Sequence, residues 1–162
     1  AYGRSKRKGE LLALQYPGSL VIRTSWLVSG TNPNFVATML RLAASRDSLR
    51  VVDDQLGCPT VAADLAEASL RALEVGAGGL VHLTNQGETT WYGLARRAVE
   101  LAGLDPSRLS PCTTDEYPLP APRPAYSVLR SERIEQLGIS QLPRWEDSMA
   151  SVVGGLIERG LV

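Results

Sequence analysis

Tyr2 and Lys6 stand four residues apart in the opening stretch YGRSKRKGELL of this 162-residue chain. On a helix that spacing puts a phenol and an ammonium on one face, within reach of each other. An ammonium beside a phenol favours the phenolate. A phenol so assisted can exchange a proton with a carbonyl oxygen while hydride moves at the carbon. The plain alternative is two solvated residues on an amphipathic helix. Five tyrosines and two lysines give a Tyr-x-x-x-Lys pair by chance in roughly 6% of such chains, so the pair alone discriminates little.

Other positions offer binding rather than bond-making. Trp26 closes the apolar, β-branched run 20–26, at what would be the carboxyl edge of a parallel sheet, where such sheets present ligands. Its alternative is a core tryptophan. Arg123 lies between Pro122 and Pro124, in a stretch too stiff for a floppy arm. A held guanidinium matches a diphosphate bidentately, and a structural ion pair is the competing role. Asn34 precedes a helical pattern and suits an N-cap as well as a ligand contact. In the loop 53–60, Gly57 supplies an unusual backbone angle and Pro59 rigidity, for a ligand or for a turn alone. Cys58 and Cys112 lack a partner motif. His82 reads as a structural residue of a strand, and Trp91 and Tyr92 as core.

The elements that must position these residues alternate. The patterns predict a helix over 2–14 ended by Tyr16-Pro17-Gly18, a strand over 20–26, and a helix over 35–45. A strand over 49–52, a helix over 62–73 ended by the glycine turn 76–79, and a strand over 80–84 follow. Thr89 or Thr90 caps a helix reaching residue 102. Residues 118–124 are extended, 127–129 suit a strand, and two helices close the chain. The fold class is α/β with parallel crossovers. No glycine-rich dinucleotide fingerprint follows any strand.

Composition narrows the function classes. Seventeen acidic and seventeen basic side chains balance, which offers no field for nucleic acid or an anionic membrane, and no apolar run approaches a membrane span. Two distant cysteines and one histidine favour reduced thiols and argue against a zinc site. A cytoplasmic small-molecule enzyme is the expectation. The chain opens inside a helical pattern without methionine, which suggests a fragment.

Tyr2-Gly3-Arg4-Ser5-Lys6 with Gly9-Glu10 resembles the Y-G-x-[ST]-K-x-x-G-E segment of extended short-chain dehydrogenases. Arg23-Thr24-Ser25-Trp26, Asn34-Phe35-Val36, and the run from Arg50 through Asp53-Asp54-Gln55-Leu56-Gly57-Cys58-Pro59-Thr60 resemble the dTDP-4-dehydrorhamnose reductases within that family. So do His82-Leu83-Thr84-Asn85, Thr90-Trp91-Tyr92 and Arg123-Pro124-Ala125-Tyr126-Ser127-Val128-Leu129, all in family order.

The resemblance implies the C-terminal part of a Rossmann-like doubly wound parallel sheet plus a small α/β substrate-binding domain. Residues 1–32 would be the last elements of the NADP-binding domain. Residues 33–162 would mainly bind the sugar nucleotide, with some segments returning to the Rossmann sheet. The implied reaction is reduction of dTDP-4-dehydro-L-rhamnose to dTDP-L-rhamnose by NADPH or NADH. Tyr2 would protonate the C4 oxygen, and Lys6 would support it and bond the nicotinamide ribose. Thr24 and Ser25 would lie at the cofactor. Trp26, Asn34, Gln55, Gly57, Pro59, Thr60 and Arg123 would meet the dTDP-sugar. A homodimer and a Mg2+ ion at a subunit interface belong to some full-length members. The family's third catalytic Ser or Thr and its glycine-rich loop would lie upstream, so this chain alone is expected to be inactive. Two rivals remain. One is a non-catalytic subunit like the regulatory subunit of methionine adenosyltransferase, disfavoured by the retained Tyr2 and Lys6. The other is an epimerase or dehydratase of another nucleotide sugar, disfavoured by Trp26.

Overall fold

The structure, a computed structural model, describes residues 2–118 and 120–162. The chain runs α1 (Tyr2–Ala13), β1 (Leu20–Arg23), β2 (Leu27–Val28), α2 (Phe35–Ser45), β3 (Leu49–Val52), β4 (Leu56–Gly57), β5 (Thr60–Val61) and α3 (Ala62–Glu74). It continues through β6 (Gly79–His82), β7 (Thr89–Thr90), α4 (Trp91–Leu101), a short 3-10 turn (Pro106–Arg108), β8 (Leu109–Cys112), α5 (Glu132–Gln136) and α6 (Trp145–Glu158). Strands β1 and β6, β2 and β5, and β3 and β8 pair in parallel, while β4 and β7 pair antiparallel. The α/β class and the parallel crossovers are as the alternating pattern required. Among the described residues no helix is long and apolar enough to cross a membrane.

Local chemistry sets the ends of these elements. The Asn34 side chain accepts from the N–H groups of Val36 and Ala37, which starts α2 at Phe35. Thr90 Oγ1 accepts from Gly93 N–H at 3.0 Å and starts α4. Gly76, at φ 68°, turns the chain out of α3 while Ala77 N–H returns to the Ala72 carbonyl.

Two apolar cores form. In the larger, α2, α4 and α6 lay Val36, Leu40, Leu94, Val99, Met149 and Leu156 against Val51 of β3 and Leu109 of β8, all buried. In the smaller, Val81 of β6 and Leu83 just beyond it pack with Ala68 and Ala72 of α3 and with Ile134 of α5. Helix α1 contributes no buried residue to either. Asn85, 2% exposed, joins the two regions: its Oδ1 accepts from Val61 N–H at 2.8 Å, and its amide donates to Asp64 and to the Pro143 carbonyl.

Three expectations are corrected. The strand expected over 20–26 is only half-buried and stops at Arg23, opposite the last residue of its partner β6, His82; Trp26 itself takes a left-handed backbone at φ 43° that no ladder accepts. No strand forms over 127–129. The chain instead touches β4 one step earlier, with Leu56 N–H donating to the Ala125 carbonyl and Ser127 N–H to the Leu56 carbonyl. Strand β8 has no counterpart among the expected elements, since Pro111 marks its sequence as a poor strand. Within the stretch 118–124, residue 119 lies outside the described residues.

One glycine contact tests the larger core. A Cβ at Gly155 in α6 would lie 2.9 Å from the Gly30 carbonyl oxygen, whereas a Cβ at Gly154 meets nothing within 4 Å. Gly155→Ala should therefore lose about 1–3 kcal/mol by overpacking. Gly154→Ala should gain up to about 1 kcal/mol from helix propensity. Urea denaturation of the two variants checks the contrast, and equal midpoints would contradict the close approach.

Candidate active site

An open cleft of about 770 Å³ receives Tyr2 from α1, Thr24, Ser25 and Trp26 from the turn after β1, Phe35 and Met39 from α2, and Arg50 and Val52 from β3. Gln55, Trp91, Tyr117, Arg123 and Ser127 complete its walls. Six of the residues singled out from sequence thus meet in one place: Tyr2, Thr24, Ser25, Trp26, Gln55 and Arg123.

Tyr2 reaches the cleft from an exposed helix and is itself 76% exposed. Lys6 lies on the same helical face with its Nζ 5.6 Å from the centroid of the Tyr2 ring, a cation–π distance. Lys6 does not line the cleft. What holds α1 in place is one ion pair: Arg23 donates through Nε and Nη2 to both carboxylate oxygens of Glu10, each at 2.7 Å. That bidentate contact holds the Glu10 carboxyl below the usual carboxylate range and raises Arg23 in return.

Trp26 is the least ordinary residue of the site. A non-glycine residue in the left-handed region costs of order 1–3 kcal/mol and persists only when its surroundings fix it. Here they do. Thr60 N–H donates to the Trp26 carbonyl at 3.1 Å, and Ser25 Oγ donates to the Cys58 carbonyl at 2.8 Å. The Trp26 ring stacks on Trp91 with centroids 3.6 Å apart and planes 10° from parallel, and Phe35 tilts against Trp91 at 4.7 Å. Trp91 Nε1 donates to Gln55 Oε1 at 3.2 Å.

The loop 53–60 serves this wall from behind. A Cβ at Gly57 would lie 2.7 Å from Trp26 Nε1 and closer still to Cε2 and Cζ2. Gly57 has no left-handed backbone, so the expected reason for glycine is corrected: the position needs space for an indole, not a special angle. Gly57, Pro59 and Thr60 are buried and do not line the cleft. Asn34 does not line it either. Its Oδ1 caps α2, and its amide donates to the Ser29 and Asn32 carbonyls at 2.7 and 2.8 Å, so both ends are occupied locally.

Burial pushes the Cys58 thiol up, which suits a filler and not a nucleophile. His82 Nδ1 lies 3.2 Å from the Arg130 carbonyl, in keeping with a structural role. Arg123 is exposed at the mouth. Arg50, which sequence reasoning passed over, sits on the same cleft and pairs with Glu116. Trp91, expected in the core, packs against the larger core and lines the cleft as well. Its place at the first turn of a helix entered from a short strand was the available hint.

An α/β frame with a half-apolar cleft beyond the carboxyl end of a parallel strand, carrying a tyrosine, paired indoles and arginines, belongs to the class of Rossmann-like proteins that hold small organic ligands. The chain belongs to the family described as RmlD substrate binding domain, whose model matches residues 1–157. It is 42% identical over 160 residues to a dTDP-4-dehydrorhamnose reductase of Mycolicibacterium smegmatis, covering 94% of this chain and 49% of that protein. The crystal structure of a dTDP-4-dehydrorhamnose reductase from Clostridium acetobutylicum superposes with a TM-score of 0.91 at 38% identity, over 96% of this chain and 55% of that one. A reductase from Bacillus anthracis in complex with NADP gives 0.86 at 33% identity, over 92% and 52%. The chain spans about half the length of the curated relatives it matches.

The Gly57 contact yields a direct test. Gly57→Ala should cost about 1–3 kcal/mol by overpacking and should shift tryptophan fluorescence and near-UV circular dichroism as the indole yields. Wild-type stability together with unchanged spectra would mean that Trp26 does not rest on residue 57.

Proposed function

We propose that this chain carries the Tyr–Lys pair and the sugar-nucleotide site of an NAD(P)H-dependent reductase that converts dTDP-4-dehydro-L-rhamnose to dTDP-L-rhamnose. The observation that carries the reading is the cleft itself, where Tyr2, Trp26 and Arg123 face one space. These are a proton donor for a carbonyl, an apolar surface for a deoxyhexose and a cation for a diphosphate. The relatives named as dTDP-4-dehydrorhamnose reductases support the substrate, and the NADP-bound relative supports the cofactor.

Thr24 and Ser25 line the cleft beside Tyr2, and the Thr24 hydroxyl is buried without a partner. These residues fit the nicotinamide end of a dinucleotide, and Lys6, beside the Tyr2 ring, is our candidate for its ribose. Nothing in the sequence cradles the dinucleotide's own diphosphate, because no glycine-rich fingerprint is present. When bound, the dihydronicotinamide supplies the hydride for C4. Tyr2 gives its phenolic proton to the C4 oxygen, and Lys6, across the ring face, favours the negative charge left behind. Trp26 and its aromatic neighbours exclude water from the sugar's apolar side, and Arg123 holds the diphosphate. We read β1, β6 and their core as the last elements of the cofactor-binding domain, and the larger core as the sugar-nucleotide domain. Among the described residues no three His, Cys, Asp or Glu side chains gather in a metal-binding group. A cytoplasmic homodimer accords with this reading.

The reaction is testable in a chimera that joins this chain to the N-terminal half of the Mycolicibacterium smegmatis relative. Tyr2→Phe should leave the Kd for the dTDP-sugar near wild type and lower kcat by roughly 10²- to 10⁴-fold. Turnover close to wild type would remove Tyr2 from the chemistry.

Arg123 is tested separately by binding. If it pairs with the diphosphate, Arg123→Ala should weaken dTDP and dTDP-L-rhamnose alike, by about 10- to 150-fold. Calorimetry that finds either ligand unaffected would reassign Arg123.

A further inference from the structure

Gln55 was expected to touch the ligand, and Trp91 to fill the core. The geometry gives them a joint role. Gln55 is only 7% exposed, and both polar ends of its amide are engaged. An indole N–H can only donate, so Gln55 must turn its Oε1 to Trp91 Nε1, 3.2 Å away. At the other end Gln55 Nε2 donates to Thr114 Oγ1 at 2.9 Å. Thr114 Oγ1 can accept there because it donates its own proton to Asp54 Oδ1 at 2.6 Å. The Thr114 N–H also donates to the Asp54 carboxylate, at 2.9 and 3.0 Å to its two oxygens. The chain from carboxylate through hydroxyl and amide to indole therefore has one direction, and it ends on Trp91.

Trp91 passes the constraint on. One face lies parallel to Trp26 at 3.6 Å, and Phe35 closes on it at 4.7 Å, so Trp91 cannot turn without releasing Trp26. We propose that Gln55 and Trp91 are positioning residues for sugar recognition: Gln55 fixes the Trp91 indole, and Trp91 fixes Trp26 in the single pose in which it meets a nucleotide-linked hexose. This rests on the sugar-nucleotide reading of the cleft. It implies that residue 55 acts on the ligand only through the indole N–H, and that the effect falls on the hexose and not on the nucleotide.

The test is a double-mutant cycle on the full chain, with Gln55→Met, Trp91→Phe and their combination. Titrations with dTDP-L-rhamnose and with dTDP give the affinities, and near-UV circular dichroism follows the coupled indole pair. Gln55→Met removes both hydrogen bonds of the amide, the one from Trp91 and the one to Thr114, and should weaken dTDP-L-rhamnose about 3- to 10-fold while leaving dTDP unchanged. Trp91→Phe keeps a ring but no N–H. It should weaken the sugar nucleotide by at least as much and abolish the paired-indole dichroism. The double variant should bind no more weakly than Trp91→Phe alone. Additive losses would show that Gln55 acts by another route and overturn the proposal. So would equal losses for dTDP, or unchanged sugar-nucleotide affinity in folded Trp91→Phe. If Gln55→Met does not fold, Trp91→Phe decides the matter by the same two ligands. Failure of the wild-type chain to bind either ligand would overturn the sugar-nucleotide reading and this one with it. Tight wild-type binding with an indifferent Trp91→Phe overturns this one alone.

Discussion

The backbone of Trp26, held at φ 43°, is the constraint around which the cleft is arranged. A bulky residue does not choose that conformation, and no single neighbour repays its cost. The stack on Trp91 is itself not the arrangement that indoles prefer, because centroids 3.6 Å apart in nearly parallel planes leave little offset. The pair is therefore held by what surrounds it. Gly57 leaves room for the ring, Thr60 ties the Trp26 carbonyl, Gln55 takes the Trp91 N–H, and Phe35 closes the far side. Strand β1 ends three residues before Trp26, and Thr24 and Ser25 follow it into the wall of the cleft. The Trp26 ring in this pose leaves residue 57 no room for a side chain and sets an aromatic surface on the site.

The Tyr2 end of the cleft depends on a different kind of contact. No residue of helix α1 is fully buried, so registering Tyr2 to Trp26 falls less to apolar packing than to a polar contact. The bidentate Glu10–Arg23 pair does that work, anchoring the helix to the end of β1 three residues before Trp26. Two parallel hydrogen bonds from a planar guanidinium fix orientation as well as distance, which a single lysine contact would not. Tyr2 is thereby registered to the same strand that positions the aromatic wall. Glu10 belongs to the opening sequence block that carries Tyr2 and Lys6, and its role in that block is mechanical.

Much of this was legible in the sequence, and what was not has physical causes. Helices α2, α3 and α4 and strand β3 follow their periodicity and caps to within a residue, because local propensity and tertiary packing agree there. The paired strands β2, β4, β5 and β7 are two residues each, too short for any alternation to show. Asn85 was noted only as part of a block, yet its buried amide bridges three segments, a role that needs partners 21 to 58 residues distant. The convergence of Tyr2, Trp26 and Arg123 was readable from family order. The separation between residues that face the cleft and residues that support it was not. Gly57, Pro59 and Thr60 stand in the same run as Gln55, and only the folded loop shows that they lie behind the indole.

The cleft also explains why two cores are needed. The larger one supplies Phe35, Met39 and Trp91, a wall of low polarity. The smaller one supports β1 and β6, whose carboxyl ends deliver Thr24, Ser25 and, through Arg23, the helix bearing Tyr2. A cleft whose walls come from two cores keeps its shape only if the cores are locked in register. Asn85 provides the lock by bonding across β5, α3 and the segment before α6 with one buried side chain. Its hydrogen bonds are sheltered from water, so they resist the small sliding motions that an apolar contact between the cores would permit.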